Sequence, residues 1–196
     1  MDQGKFQTAI RAIDAANSKD PKSVSVGEEE QPGELIYGIR MSAALDKLAP
    51  AAGEHLRLAA RAQHIERWKS ARADYPEGKA GYLKWRAELK NFHASRVGEI
   101  MADAGYGGKD IARVQTLVRK KGLKRDPETQ TLEDTACIVF LEHYAPAFIA
   151  SHDDEKVVSI LAKTARKMSE HGLAAASALP LSGRLEQLLS QALNAE

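Results

Sequence analysis

A single cysteine, Cys137, rules out a disulfide within the chain, and the sequence is expected to belong to a reducing compartment, the cytoplasm. Cys137 falls on the apolar face of a helical pattern and reads as a buried, inert thiol. No run of about 18 apolar residues occurs, so no membrane span is expected. The N-terminal stretch alternates charged and apolar residues and lacks the continuous apolar core of a signal peptide. Charge of one sign is also missing. With 28 basic and 27 acidic side chains the net charge is +1. Nucleic acid is therefore the poorest partner class, since it calls for a continuous basic stripe. No hairpin signal, no sustained period-two alternation and no 20–50-residue repeat is present, which excludes a β architecture and a solenoid.

What remains is an ordinary globular composition, 43% hydrophobic and 28% charged, with apolar residues at helical spacing. The spacing predicts helices over residues 6–16, 34–48, 53–69, 79–104 and 110–120. A sixth begins at Asp126-Pro127, with Asp as N-cap and Pro in the first helical position, and runs to 144. A seventh starts near His152-Asp153, where Asp153 reads as a helix cap and not as a metal ligand, and reaches 170. A weaker one covers 183–194. The predicted fold is an all-α, single-domain helical bundle: an N-terminal helix (1–17), an exposed polar loop (18–33) and a helical domain (34–196).

Several polar residues stand where a core stripe should continue. In residues 53–69, Leu58, Ala62 and Ile65 form the stripe, while Arg57, Arg61, His64 and Trp68 share a neighbouring arc. In 79–104, Tyr82, Arg86, Leu89 and His93 fall in one arc, with Trp85 beside it. Asp134 shares a face with Ile138 and Leu141, and a carboxylate there needs a partner. Arg119, Lys120, Lys121, Lys124 and Arg125 surround Gly122. That cluster is either a solvated charge run or a phosphate clamp. Three helices with polar groups beside a core stripe point to one shared pocket. Solvated or cation–π-packed faces are the plainer alternative.

The stretches LRLAARAQHIERW, YPEGKAGYLKWRAELKNFHA, KKGLKRDPETQTLEDTACIVFLE, HDDEK and KTARKMSEHG closely resemble an uncharacterised family, domain of unknown function 4202, found in bacteria and fungi. The resemblance covers about residues 34–193 and implies no established activity. More distantly, the order of helices and polar residues resembles the HD-domain superfamily of metal-dependent phosphohydrolases. In that resemblance His64, His93 and Asp134 occupy metal-ligand positions. Ile65 stands where the Asp of the His-Asp pair belongs. The early His is absent, with Glu34 and Tyr37 the nearby substitutes. The resemblance implies an HD-like fold and one divalent ion (Mn, Fe, Zn or Ni) on His64, His93 and Asp134.

Two functional readings follow, with a third behind them. The first is a divalent-metal-dependent phosphohydrolase acting on a small phosphorylated or nucleotide-like substrate held by Arg61, Arg86 and Lys121. The second is a metal-free HD-like protein that binds an anionic or nucleotide ligand. Its pocket is built from Arg57, Arg61, Arg86, Lys120 and Lys121, with Trp68, Tyr82 and Trp85 as stacking surfaces. The third is a helical protein-interaction module.

Overall fold

A computed structural model describes residues 3–181 and 183–194. The architecture is all-α. Ten α-helices occur among the described residues: α1 (Gln3–Asn17), α2 (Gly33–Leu48), α3 (Glu54–Arg61), α4 (Gly78–Asp103), α5 (Gly108–Val118), α6 (Pro127–Val139), α7 (Ala145–Ala150), α8 (Asp154–Ala165), α9 (Glu170–Ser177) and α10 (Arg184–Asn194). The predicted stripe of Leu58, Ala62 and Ile65 is fully buried, together with Ile13, Met41, Leu45, Met101, Leu117, Leu132 and Leu141. Each such aliphatic side chain contributes about 1.5–3 kcal/mol relative to exposure. Helix α2 lies against α3 and α6, α3 also against α5, and α5 against α4; α1 covers α2, α3 and α4. The C-terminal helices join this core chiefly where α9 meets α6, and α10 packs along α8.

Four sequence-based expectations need correction. The segment 18–33 is not all loop. It holds an antiparallel hairpin, β1 (Ser23–Val26) with β2 (Glu29–Pro32), pairing Val24 with Gln31 and Ser25 with Glu30. Both strands are largely exposed, so no buried face exists to impose an alternating pattern. The hairpin closes onto α2, where Gly33 N–H donates to the Lys22 carbonyl (2.8 Å) and Glu34 N–H to Asp20 Oδ2 (2.9 Å).

The helix predicted over 53–69 stops at Arg61. The chain then turns, with Glu66 in the left-handed region (φ 51°), before a short 3-10 turn, Arg67–Lys69. A left-handed non-glycine residue needs local support. Here buried Asn17 accepts the Glu66 N–H (2.9 Å), and the Glu66 carboxylate takes Lys69 Nζ and Arg96 Nε (2.8 Å each). The helix predicted to end at 144 instead passes through a π-helical turn, Phe140–Tyr144, into α7. Pro146, which has no N–H to donate, follows directly on the π-helical turn, where the i to i−4 ladder already changes register. The helix predicted to reach 170 breaks after Ala165, because Ser169 caps a new helix through its Oγ and the Gly172 N–H (3.0 Å).

The caps read from sequence hold. Asp126 accepts from the N–H groups of Glu128 (3.1 Å) and Thr129 (3.3 Å). Asp153 accepts from Lys156 N–H (2.8 Å).

Candidate functional site

The left-handed turn at Glu66 builds the site. The end of α3 at Arg61 takes His64 off the regular helical face, and the left-handed Glu66 then redirects the chain at Arg67, so that both side chains meet residues of α2 and α4. The His64 ring lies flat on Tyr37 of α2, with centroids 4.0 Å apart and planes 11° from parallel. Its Nδ1 is 3.6 Å from Glu34 Oε2, and Arg67 Nη1 approaches its Nε2 at 3.1 Å. The His93 ring of α4 is 6.0 Å away. His93 is anchored from the other side, since Nδ1 donates to the Ile65 carbonyl at 2.7 Å. That bond fixes the proton on Nδ1 and leaves Nε2 an acceptor. His93 Nε2 and Glu34 Oε2 are both buried without a hydrogen-bond partner, a costly condition for polar atoms.

Cations surround these rings. The Arg67 guanidinium stands over Trp85 (5.1 Å to the ring centroid), whose Nε1 donates to the Ser70 carbonyl (3.0 Å). Burial, together with the positive charges of Arg67, Lys120 and Arg86, holds His64 well below the usual imidazole range. Burial and the same two arginines bring His93 down to about 4. Both rings are thus neutral at pH 7. Lys90 of α4 is lowered by burial and by Lys120 and Arg86. Burial pushes Glu34 up to about 7, against the pull of Arg67. Burial alone would raise Glu133, but Lys120 and Lys167 keep it ionised and lowered. Lys120 Nζ donates to Glu133 Oε2, and Lys167 stands 3.8 Å from Oε1. Tyr37, itself raised by burial, feels Glu34, Tyr144, Arg67 and Glu133 at once, so α2, α6 and the π-helical turn all border the same place.

Six cations, Arg67, Arg86, Lys22, Lys90, Lys120 and Lys167, therefore act on this cluster against three carboxylates, Glu34, Asp20 and Glu133, and Glu34 is half protonated near neutrality. Among the described residues neither Arg86 nor Lys90 has an ion-pair partner. Tyr82 lies at the edge, 45% exposed and 5.9 Å from Trp85.

The sequence-predicted residues divide. His64, His93, Arg86, Lys120, Trp85 and Tyr82 come together here. Trp68 is half-buried in the adjoining 3-10 turn, and Lys121 is exposed. Arg61 is elsewhere: its Nε and Nη2 clasp Asp14 of α1 (2.6 and 2.8 Å), and Nη1 reaches Ser42 Oγ (3.3 Å). Arg57 is likewise consumed by Asp46 and by the carbonyls of Ala52 and Pro50.

Asp134 is buried. Its Oδ1 accepts from Ser169 N–H and Gln130 Nε2 (2.9 Å each), and its Oδ2 from Ser169 Oγ (2.5 Å). Gly172 lies so close that a Cβ there would meet the Asp134 carboxyl carbon at 2.5 Å. This carboxylate ties α6 to the start of α9. Among the described residues no three His, Cys, Asp or Glu side chains gather as a group able to hold a metal. The donor set His64–His93–Asp134 fits a divalent cation poorly: the Asp134 oxygens are taken by donors, and the histidines are ringed by positive charge.

Sequence reasoning missed Arg67, Lys90, Lys167 and Glu133, which is 7% exposed, as members of the site. The straight-helix reading of residues 53–69 hid Arg67. A buried Glu facing a basic turn was the one available signal for Glu133.

Fold and site together define an all-α protein with a cluster of cationic side chains around two histidines between its helices. The chain belongs to the family described as Domain of unknown function (DUF4202), whose sequence model matches residues 7–189. No curated protein and no solved structure matches it. No helix among the described residues is long and apolar enough to cross a membrane.

Proposed function

We propose that the pocket binds a small phosphorylated or nucleotide-like anion without a metal. The observation that carries this is the imbalance of six cations against three carboxylates around two neutral histidines. Such a surplus of partly buried positive charge is unfavourable in the empty fold and is relieved by an anion. Arg67 and Arg86 offer forked donors to phosphate oxygens, and Lys90 and Lys120 offer point charges. Tyr82, exposed at the edge, offers a face for a planar group. The unpartnered His93 Nε2 accepts from a ligand hydroxyl or a bound water.

The test is a thermal-shift and calorimetric screen of inorganic phosphate, nucleoside mono-, di- and triphosphates and acidic metabolites. A binder at a hundred times its Kd stabilises by about 2.7 kcal/mol. Absence of any stabilisation at millimolar ligand sinks the reading.

The second reading, a metal-dependent phosphohydrolase, is supported by the order of His64, His93 and Asp134 along the chain and by the two unpartnered buried atoms, His93 Nε2 and Glu34 Oε2, on either side of His64. Elemental analysis of untagged protein purified without chelator separates the two. Near-stoichiometric Mn, Fe, Zn or Ni that is lost in both His64→Ala and Asp134→Ala establishes a metal site and turns the search to phosphorylated substrates for hydrolysis. A metal-free protein that binds phosphate establishes the first.

A further inference from the structure

We infer that His64 is a phosphoryl acceptor: its Nε2 takes the phosphoryl group of a small donor bound in the cationic pocket, giving a covalent phosphohistidine. The inference rests on the anion-binding reading and goes one step further, from binding to group transfer.

The geometry carries it. A guanidinium has no lone pair to offer, so the Arg67 Nη1 contact at 3.1 Å makes His64 Nε2 the acceptor and puts the ring proton on Nδ1. The Nε2 lone pair is therefore directed to the side where Arg67 stands, and Arg86 and Lys120 act on the same ring. On the opposite side Nδ1 stands 3.6 Å from Glu34 Oε2, a buried oxygen with no hydrogen-bond partner. Tyr37 holds the ring plane by stacking at 4.0 Å. A neutral imidazole, held by Tyr37, with the Glu34 carboxyl behind it and cations in front, has the arrangement a nitrogen nucleophile requires. The side chain is 22% exposed, enough to be reached by a small donor.

With an acyl phosphate, Arg67 Nη1 moves its hydrogen bond from Nε2 to a phosphoryl oxygen, and the freed Nε2 lone pair forms the N–P bond as the P–O bond to the acyl oxygen breaks. The bonding pair leaves on a carboxylate, which needs no proton. The ring becomes cationic, and Glu34 accepts a hydrogen bond from its Nδ1–H. Arg67, Arg86 and Lys120 balance the charge on the phosphoryl oxygens. Water then attacks phosphorus, the N–P bond breaks, its electron pair returns to Nε2, and inorganic phosphate departs carrying the water's oxygen. The substrate class is a phosphoryl donor whose leaving group departs without acid assistance: an acyl phosphate or a phosphoramidate.

The test incubates the full chain with acetyl phosphate, and separately with phosphoramidate, followed by alkaline quench, intact mass, peptide mapping and 31P NMR. The expected result is one acid-labile, alkali-stable phosphoryl group on His64. It forms at least about tenfold faster than on exposed His143 or His171, and the advantage disappears in urea-unfolded chain. Glu34→Gln slows the reaction by at least about tenfold. Phosphate binding is titrated calorimetrically in the same preparations. Phosphate binding with His64 unmodified, or modified no faster than His143, overturns the inference and leaves the binding reading standing. Phosphorylation of His93 or a lysine instead also overturns it. No binding and no modification overturns both.

Discussion

Arg61 and Arg86 were equal candidates on sequence, each on a polar arc beside a core stripe, yet they have opposite fates. Arg61 is the centre of a closed clasp. Asp14 takes two of its nitrogens and Ser42 a third, and the bond geometry holds α1, α2 and α3 together. Gly38 is part of the same junction, since a Cβ there would come within 2.9 Å of the Arg61 carbonyl. Arg86 stands among Arg67, Lys90 and Lys120 with no carboxylate of its own. The contrast teaches that a helical arc of arginines is not a binding surface in itself. What matters is whether the fold already satisfies the charge. Where it does, the residue is structural; where it does not, the missing counter-charge is supplied from outside.

The largest expected effect breaks the closed region. Asp14→Ala strands a part-buried guanidinium and is expected to cost about 3 kcal/mol in urea unfolding, while phosphate affinity stays unchanged. A smaller structural loss, about 2 kcal/mol, is expected for Asp134→Ala, which removes the acceptor for Ser169 and Gln130. If Asp134 acts as a metal ligand, that variant loses bound metal along with stability; if it is the tie between α6 and α9, unfolding is the sole change.

In the open region the signs reverse. Arg86→Gln is expected to leave stability within about 0.5 kcal/mol of the parent, or to raise it by relieving repulsion, while weakening phosphate binding by about 2 kcal/mol. Calorimetry alongside denaturation checks both halves.

The subtlest prediction concerns pH. Glu34 is raised from 4.5 to about 7, so the folded state holds its proton where the unfolded chain has lost it, and its contribution falls as pH rises through that window. His93, lowered to about 4, acts in the opposite sense: its contribution is lost as pH falls below 6.5. His64, also lowered, adds to the histidine side. Glu34→Gln removes the opposing carboxylate. Between pH 4.5 and 6.5 its stability should therefore climb more steeply with pH than the parent's, by up to about 1.4 kcal/mol per pH unit. Parallel curves would show that Glu34 titrates normally in the fold.

The all-α class, the core stripe of Leu58, Ala62 and Ile65, and the caps at Asp126 and Asp153 were legible because they follow from local periodicity and local hydrogen bonding. The convergence of His64, His93, Arg86 and Lys120 was legible as well, through polar residues displaced from apolar faces. The rest depended on contacts between segments distant in sequence. The turn at Glu66 is stabilised by Asn17, 49 residues away, and without it Arg67 is placed on the wrong side of a helix that does not exist. The hairpin at 23–32 has no buried face to announce it. The roles of Arg61 and Asp134 were set by Asp14 and Ser169, 47 and 35 positions away, which no spacing rule connects. Cys137 behaves as its apolar position implied: it is buried, and burial pushes its thiol up to about 12.

The most direct test of the central claim, that charge left unpaired by the fold is charge reserved for a ligand, is a calorimetric titration of inorganic phosphate at low salt into the parent, Arg86→Gln and Arg57→Gln. Arg57 is the paired control, held by Asp46 and two carbonyls. Saturable binding is expected, weakened at least about tenfold in Arg86→Gln and changed by less than about twofold in Arg57→Gln. No saturable binding in the parent, or equal loss in both variants, would contradict the claim.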